Sequence, residues 1–130
     1  MRSMVLLRHE LADGTRHFDW LIDPGSPRAL MTFRVAEPIH SGDSRAFTAE
    51  MIGDHRRMYL DFEGPIPGGR GRIVRVARGA LEALGEQQGR IVIRGSLGGL
   101  AGVFVGRHTD GPWWRFAVTP LTITSDSRRR

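Results

Sequence analysis

The sequence predicts an all-β fold, a compact closed or nearly closed β-barrel of about eight antiparallel strands with at most one short helix. Short runs of aliphatic, β-branched and aromatic residues recur along the chain, and seventeen glycines with Pro, Asp and Ser clusters punctuate them. Two runs alternate with a period of two. In "RIVIR", Ile91 and Ile93 oppose Arg90, Val92 and Arg94; in "WWRFAV", Trp114, Phe116 and Val118 oppose Arg115 and Ala117. Half-buried antiparallel strands alternate in this way, and closure into a barrel removes their exposed edges.

The elements follow in order. The apolar run "MVLL" opens a first strand near Met4–Arg8, and "ADGT" turns the chain into a second at His17–Ile22. There Phe18, Trp20 and Ile22 form a core face, while His17, Asp19, Leu21 and Asp23 point the other way, onto a face expected to line a solvent-accessible groove. "DPGSP" leads to Ala29–Arg34, and "SGDS" precedes Phe47–Ile52. Met58–Phe62 reads as a further strand, and "PGGRG" turns into Arg72–Arg78. The stretch "GALEALGEQQG" sets Leu81 and Leu84 at helical spacing over barely two turns, and reads either as a short helix or as a strand with a loop. Arg90–Arg94, Gly99–Val105 and Trp113–Val118 close the fold through "GSLGG" and "HTDGP". One domain over residues 1–124 and a basic tail over 125–130 are expected.

Composition excludes several chemistries. The 130 residues contain no Cys, so disulfides, thiolate metal sites and a Cys nucleophile are ruled out. Lys is also absent: all 19 basic residues are Arg, which removes Walker-type, lysyl-adenylate and Schiff-base mechanisms. Codon bias in a GC-rich genome accounts for that choice more readily than bidentate phosphate binding does, and both can hold. The net charge of +5 favours a polyanionic partner. No apolar run is long enough for a signal peptide or a membrane span, so a soluble cytoplasmic protein is expected.

Any metal must therefore be held by His and carboxylate. Of the five histidines, His40 and His108 sit in turn-rich segments, where imidazoles are most often solvated and silent. His9 ends the "MVLL" run, where a strand end can reach a cleft, and His55 stands among Asp54, Arg56 and Arg57. His9, His17 and His55 with Asp19, drawn from separate segments, have the composition of a Mn, Fe or Zn site assembled in three dimensions.

"LRHELADGTRHFDWLID" and "GDHRRMYLDFEGPIPGGRGRIVRVARG" together resemble the 3'-phosphoesterase domain of bacterial DNA ligase D. Its members carry a His, a short basic loop, a His-aromatic-Asp strand, then Asp-His, a Tyr four residues on, and an aromatic-Glu-Gly-x-Ile-Pro loop. The block "DFEGPIPGG" is the most specific part, and "GRIVIRGSLGGLAGVFVGRH" and "PWWRFAVTP" resemble the family's closing strands. The resemblance implies a β-barrel with Mn-dependent removal of 3'-terminal ribonucleotides or 3'-phosphates from DNA or RNA–DNA ends, other divalent transition metals substituting, and a ligase or polymerase partner in trans. It implies His9, Asp19 and His55 as metal ligands, His17 beside the scissile phosphate, Tyr59 donating to a phosphate oxygen, and Arg45 and Arg56 binding phosphate. The chain departs from the pattern where Leu21 replaces an Arg, Gly53 a Glu and Ala36 a Lys, and only eight residues precede His9, leaving the family's upstream Arg-Asp pair without a counterpart. A barrel that keeps nucleic-acid binding with weakened chemistry is the alternative these departures imply.

Overall fold

The computed structural model describes residues 2–41, 45–53 and 57–121. Nine strands form: β1 (Ser3–Glu10), β2 (Arg16–Asp23), β3 (Met31–Val35), β4 (Ala46–Ile52), β5 (Gly64–Pro65), β6 (Arg72–Gln87), β7 (Arg90–Leu97), β8 (Leu100–Asp110) and β9 (Trp113–Pro120). They lie in the order β1-β2-β3-β4-β9-β8-β7-β6-β5, and β1 also pairs with β6. Eight strands therefore make an antiparallel ring, with the two-residue β5 attached to β6. Among the described residues no helix is long and apolar enough to cross a membrane.

The all-β expectation holds, with one correction in detail and one open alternative resolved. Met58–Phe62 is not a strand: Arg57–Leu60 is a 3₁₀ turn. Tyr59, Leu60 and Phe62 all pack to one side, against the same apolar cluster, and a period-two strand could not send them there together. The stretch "GALEALGEQQG" is the distal half of the 16-residue β6. Its helix-like spacing comes from a β-bulge: Leu81 pairs with Gly95 and Ala83 with Arg94, so Glu82 is an extra residue. The bulge reverses the parity of the strand and lets Leu81 and Leu84 face the core although they are three apart.

The ring is filled by aromatic side chains around Trp20, which is fully buried. Its ring lies 5.2 Å from Phe104, 5.3 Å from Phe116, 5.8 Å from Phe33 and 6.0 Å from Phe47, in tilted or edge-on contacts. Gly106, the register partner of Phe116, is part of this fit. A Cβ there would lie 2.6 Å from the Phe116 ring, so the backbone of β8 closes over the aromatic edge only because that residue is glycine.

A second apolar layer lies outside the ring. Val5, Leu7, Leu21, Leu30 and Ile73 on the outward face are covered by Tyr59, Leu60, Phe62 and Ile66. This explains why "MVLL" is a continuous apolar run rather than an alternating one: Met4 and Leu6 fill the ring while Val5 and Leu7 meet the covering segment. It also overturns the expectation of a solvent-open polar face on β2. Phe18 is 5% exposed and Asp19 only 3%, with Leu21 and Asp23 also buried. Both faces of the strand are covered.

Two outcomes follow for stability. Trp20→Ala is expected to lower the unfolding free energy by about 3–5 kcal/mol in urea titration, whereas Trp20→Phe should cost far less, because it also removes the indole Nε1–H, which is buried without a hydrogen-bond partner. His40, whose Nδ1 is buried and unpartnered, is pushed below the usual imidazole range by burial. Its folded form therefore takes up a proton later than its unfolded form, so stability should fall as pH drops from about 6.5 towards that lowered value. Acid melts of His40→Leu should show a shallower decline in that window.

Candidate metal centre

The β1–β2 hairpin carries the site. Leu11 N donates to Thr15 O at 2.8 Å and Gly14 N to Leu11 O at 3.0 Å, closing the turn. Asp13 Oδ1 accepts from the Thr15 hydroxyl at 2.6 Å and from its amide at 2.9 Å, and the hydroxyl first, then the amide, holds the Asp13 carboxyl below its ordinary value. This register sets His9 opposite His17 and Leu7 opposite Asp19. Parity puts all of them on the outward face, the imidazoles at the hairpin end of the strands.

Three donors converge there. His9 Nδ1 is 3.2 Å from His17 Nε2, the two rings meeting edge-on at 83°. His17 Nε2 lies 3.7 Å from Asp19 Oδ2. One ligand atom from each of His9, His17 and Asp19 lies within 4.8 Å of the others. Bonds of 2.0–2.2 Å to a tetrahedral or octahedral ion would separate ligand atoms by roughly 3.0–3.5 Å along each edge. The His9–His17 separation already matches, the His17–Asp19 one needs a contraction of a few tenths of an ångström, and the His9–Asp19 one lies within the same 4.8 Å span, so with local adjustment this donor set could hold a divalent transition ion.

Each outer ligand is oriented by a second contact. Arg34, register partner of Asp19 on β3, donates from Nε to Asp19 Oδ1 at 3.0 Å and leaves Oδ2 to His17. His9 Nε2 lies 3.0 Å from the Arg70 carbonyl. A carbonyl only accepts, so His9 carries its proton on Nε2 and turns a bare Nδ1 toward His17. That carbonyl is delivered by the "PGGRG" loop, in which Ile66 N donates to Gly71 O at 2.8 Å. Gly71 has φ of +98°, and a Cβ there would sit 2.0 Å from Glu10 O, so glycine is required for the loop to lie against the end of β1.

The other expected residues are placed as follows. Tyr59 is in the 3₁₀ turn with its ring 5.7 Å from Phe62, beside a cavity of about 280 Å³ that Ile66 and Arg70 also line. Arg45 precedes β4, where its carbonyl accepts from Val118 N, two strands round the ring from β2. His55 and Arg56 lie outside the described residues. Leu21, at the position of the family's Arg, packs into the outer apolar layer. The residue that sequence reading missed is Arg34; its signal was indirect, since a carboxylate on a face bearing Leu21 needs a cation. His17 belongs to the donor group itself. Compared with protein-family models and with curated proteins, the chain matches none.

Asp19 is a structural residue as well as a ligand candidate. Asp19→Asn keeps the volume but removes the ion pair with Arg34, and should lower stability by about 1–2 kcal/mol in denaturant titration without metal. Pairing with Arg34→Met should give less than the sum of the two single effects.

Proposed function

We propose that the protein is a metal-dependent phosphoesterase acting on nucleic-acid 3' ends, removing a terminal ribonucleotide or a 3'-phosphate, with Mn²⁺ as its metal. The observation that carries this reading is the convergence of His9, His17 and Asp19 at one end of the β1–β2 hairpin, joined to the resemblance of "RHFDWLID" and "DFEGPIPGG" to the phosphoesterase domain.

A bound divalent ion would polarise a phosphoryl oxygen and lower the pKa of bound water. The chain's own residues do the rest. Asp19 is locked by Arg34 and His9 by the Arg70 carbonyl, so both ligands keep their orientation when substrate arrives. His17, between them and partly exposed, is the member of the group that can bind the ion or hold a proton beside the phosphate. Arg34 brings a guanidinium to the Asp19 carboxylate from a neighbouring strand, where the resembled pattern has one at the position of Leu21. Tyr59 and Arg70 border the adjoining cavity and would meet the substrate from that side. The partner in such a role is a ligase or polymerase acting on the trimmed end.

Manganese binding, followed by the electron paramagnetic resonance of free Mn²⁺, should be lost in His9→Ala and Asp19→Asn, and should weaken as pH falls because protons compete for the imidazole nitrogens. A labelled primer–template ending in one ribonucleotide should be shortened with manganese and left intact with chelator. Turnover that persists in chelator would refute the mechanism. Manganese binding without turnover on either a 3'-ribonucleotide or a 3'-phosphate would replace it with the binding-module reading.

A further inference from the structure

The wall of the ring farthest from the His9–His17 hairpin is β7-β8-β9, its central strand β8 lying four strands from β2 in either direction. On it three arginines stand in one cross-strand row. Arg90 of β7 is the register partner of Arg107 of β8, and Arg107 is the register partner of Arg115 of β9. Burial alternates along all three strands, with Ile91, Ile93, Phe104, Phe116 and Val118 inward, which sets the arginines on the outward face.

Like charges directly opposite one another across strands are destabilising. Among the described residues none of the three arginines makes an ion pair: Arg115 donates to the Thr48 hydroxyl at 3.1 Å, and Arg90 Nε is buried without a partner. Arg94, further along β7, is by contrast neutralised by Glu82 at 3.1 Å. Of the carboxylates near the row in register, Glu86 is held by Arg28 at 2.8 Å, while Glu50 and Asp110 are register partners of Trp113, Glu50 also facing Arg34 across β3 and β4. Trp113 is 44% exposed and shares the outward face of β9 with Arg115, about 7 Å along the strand. The main chain beneath it is fixed, since Thr109 Oγ1 donates to the Trp113 carbonyl at 3.0 Å.

We infer that this wall is a docking surface for single-stranded nucleic acid, with Arg90, Arg107 and Arg115 on successive phosphates and Trp113 stacked on a base. The row supplies unneutralised positive charge on the outward face of the ring, which a polyanion complements. Trp113 selects among polyanions: a π-face beside the cationic row engages an unstacked base, which a single strand offers and a duplex or an acidic peptide does not. The inference shares its ligand class with the proposed function but uses none of the same residues, and it stands whether or not the metal group is catalytic.

The test is fluorescence anisotropy of a labelled oligo-dT of about 12 nucleotides, with the full chain, in chelator. The expected result is binding that weakens with salt. Arg107→Glu with Arg115→Glu should abolish it, and Arg107→Ala with Arg115→Ala should lower the slope of log affinity against log salt by about 0.7 for each phosphate that is no longer neutralised. Trp113→Ala should weaken binding on the order of tenfold, with Trp113→Phe restoring most of it. Thermal melts of the alanine variants should match or exceed the parent, because like-charge repulsion is relieved. Because the assay is run in chelator and reads binding alone, failure of the catalytic reading leaves this result unaffected. Equal affinity for a duplex of the same length, equal competition by polyglutamate, or an unchanged affinity in the double Glu variant would overturn the inference.

Discussion

Everything in this structure depends on β2 being covered on both of its faces. Inside the ring Phe18, Trp20 and Ile22 meet the aromatic centre, and outside it Leu21 lies under the segment that carries Tyr59, Phe62 and Ile66. A strand in that position cannot carry an unpaired carboxylate, because the desolvation cost exceeds what one side chain contributes to stability. Asp19 and Asp23 are tolerated because each has a guanidinium brought to it, Arg34 from the neighbouring strand and Arg57 from the 3₁₀ turn. The polar character of the strand is thus inseparable from the two segments that cover and neutralise it.

The same constraint shapes the chemistry available to His17. It neighbours a carboxylate whose other oxygen is already taken and an imidazole whose far nitrogen faces a carbonyl. One ring nitrogen of the His9–His17 pair carries the proton of their 3.2 Å contact, so the donor atoms of the group are turned toward one another. That is an arrangement an ion or a shared proton stabilises, at a site where both imidazoles are partly exposed and Asp19 is buried. With no lysine in the chain, every compensating charge is a rigid fork, so each of these contacts fixes direction as well as sign.

The ring architecture was legible because turn chemistry and alternation agree over most of the chain: "RIVIR" and "WWRFAV" fold as their period says. Two features limited a local reading. The spacing of Leu81 and Leu84 leaves helix and strand equally open because a bulge at Glu82 is invisible without the partner strand. Tyr59 and Phe62 read as a strand because their target, the outer face of β1 and β2, lies some fifty residues earlier in sequence. The site was half legible. His9, His17 and Asp19 were all marked by their strand-end or strand positions, but the exposure of Asp19 was misread. Leu21 and the unbroken "MVLL" were the signals that both faces are covered.

The pairing of β1 with β6 has a consequence for how the molecule comes into being. Its partners, such as His9 and Ile73, are separated by more than sixty residues, so the ring closes only after most of the chain is available. The hairpin that unites His9, His17 and Asp19 is local and can form from the first two dozen residues. The carbonyl of Arg70 and the apolar cover reach it only with the arrival of β6. During synthesis the donor atoms are therefore gathered early; Asp19 gains Arg34 with the arrival of β3, and His9 gains the Arg70 carbonyl only when the segment leading into β6 reaches it.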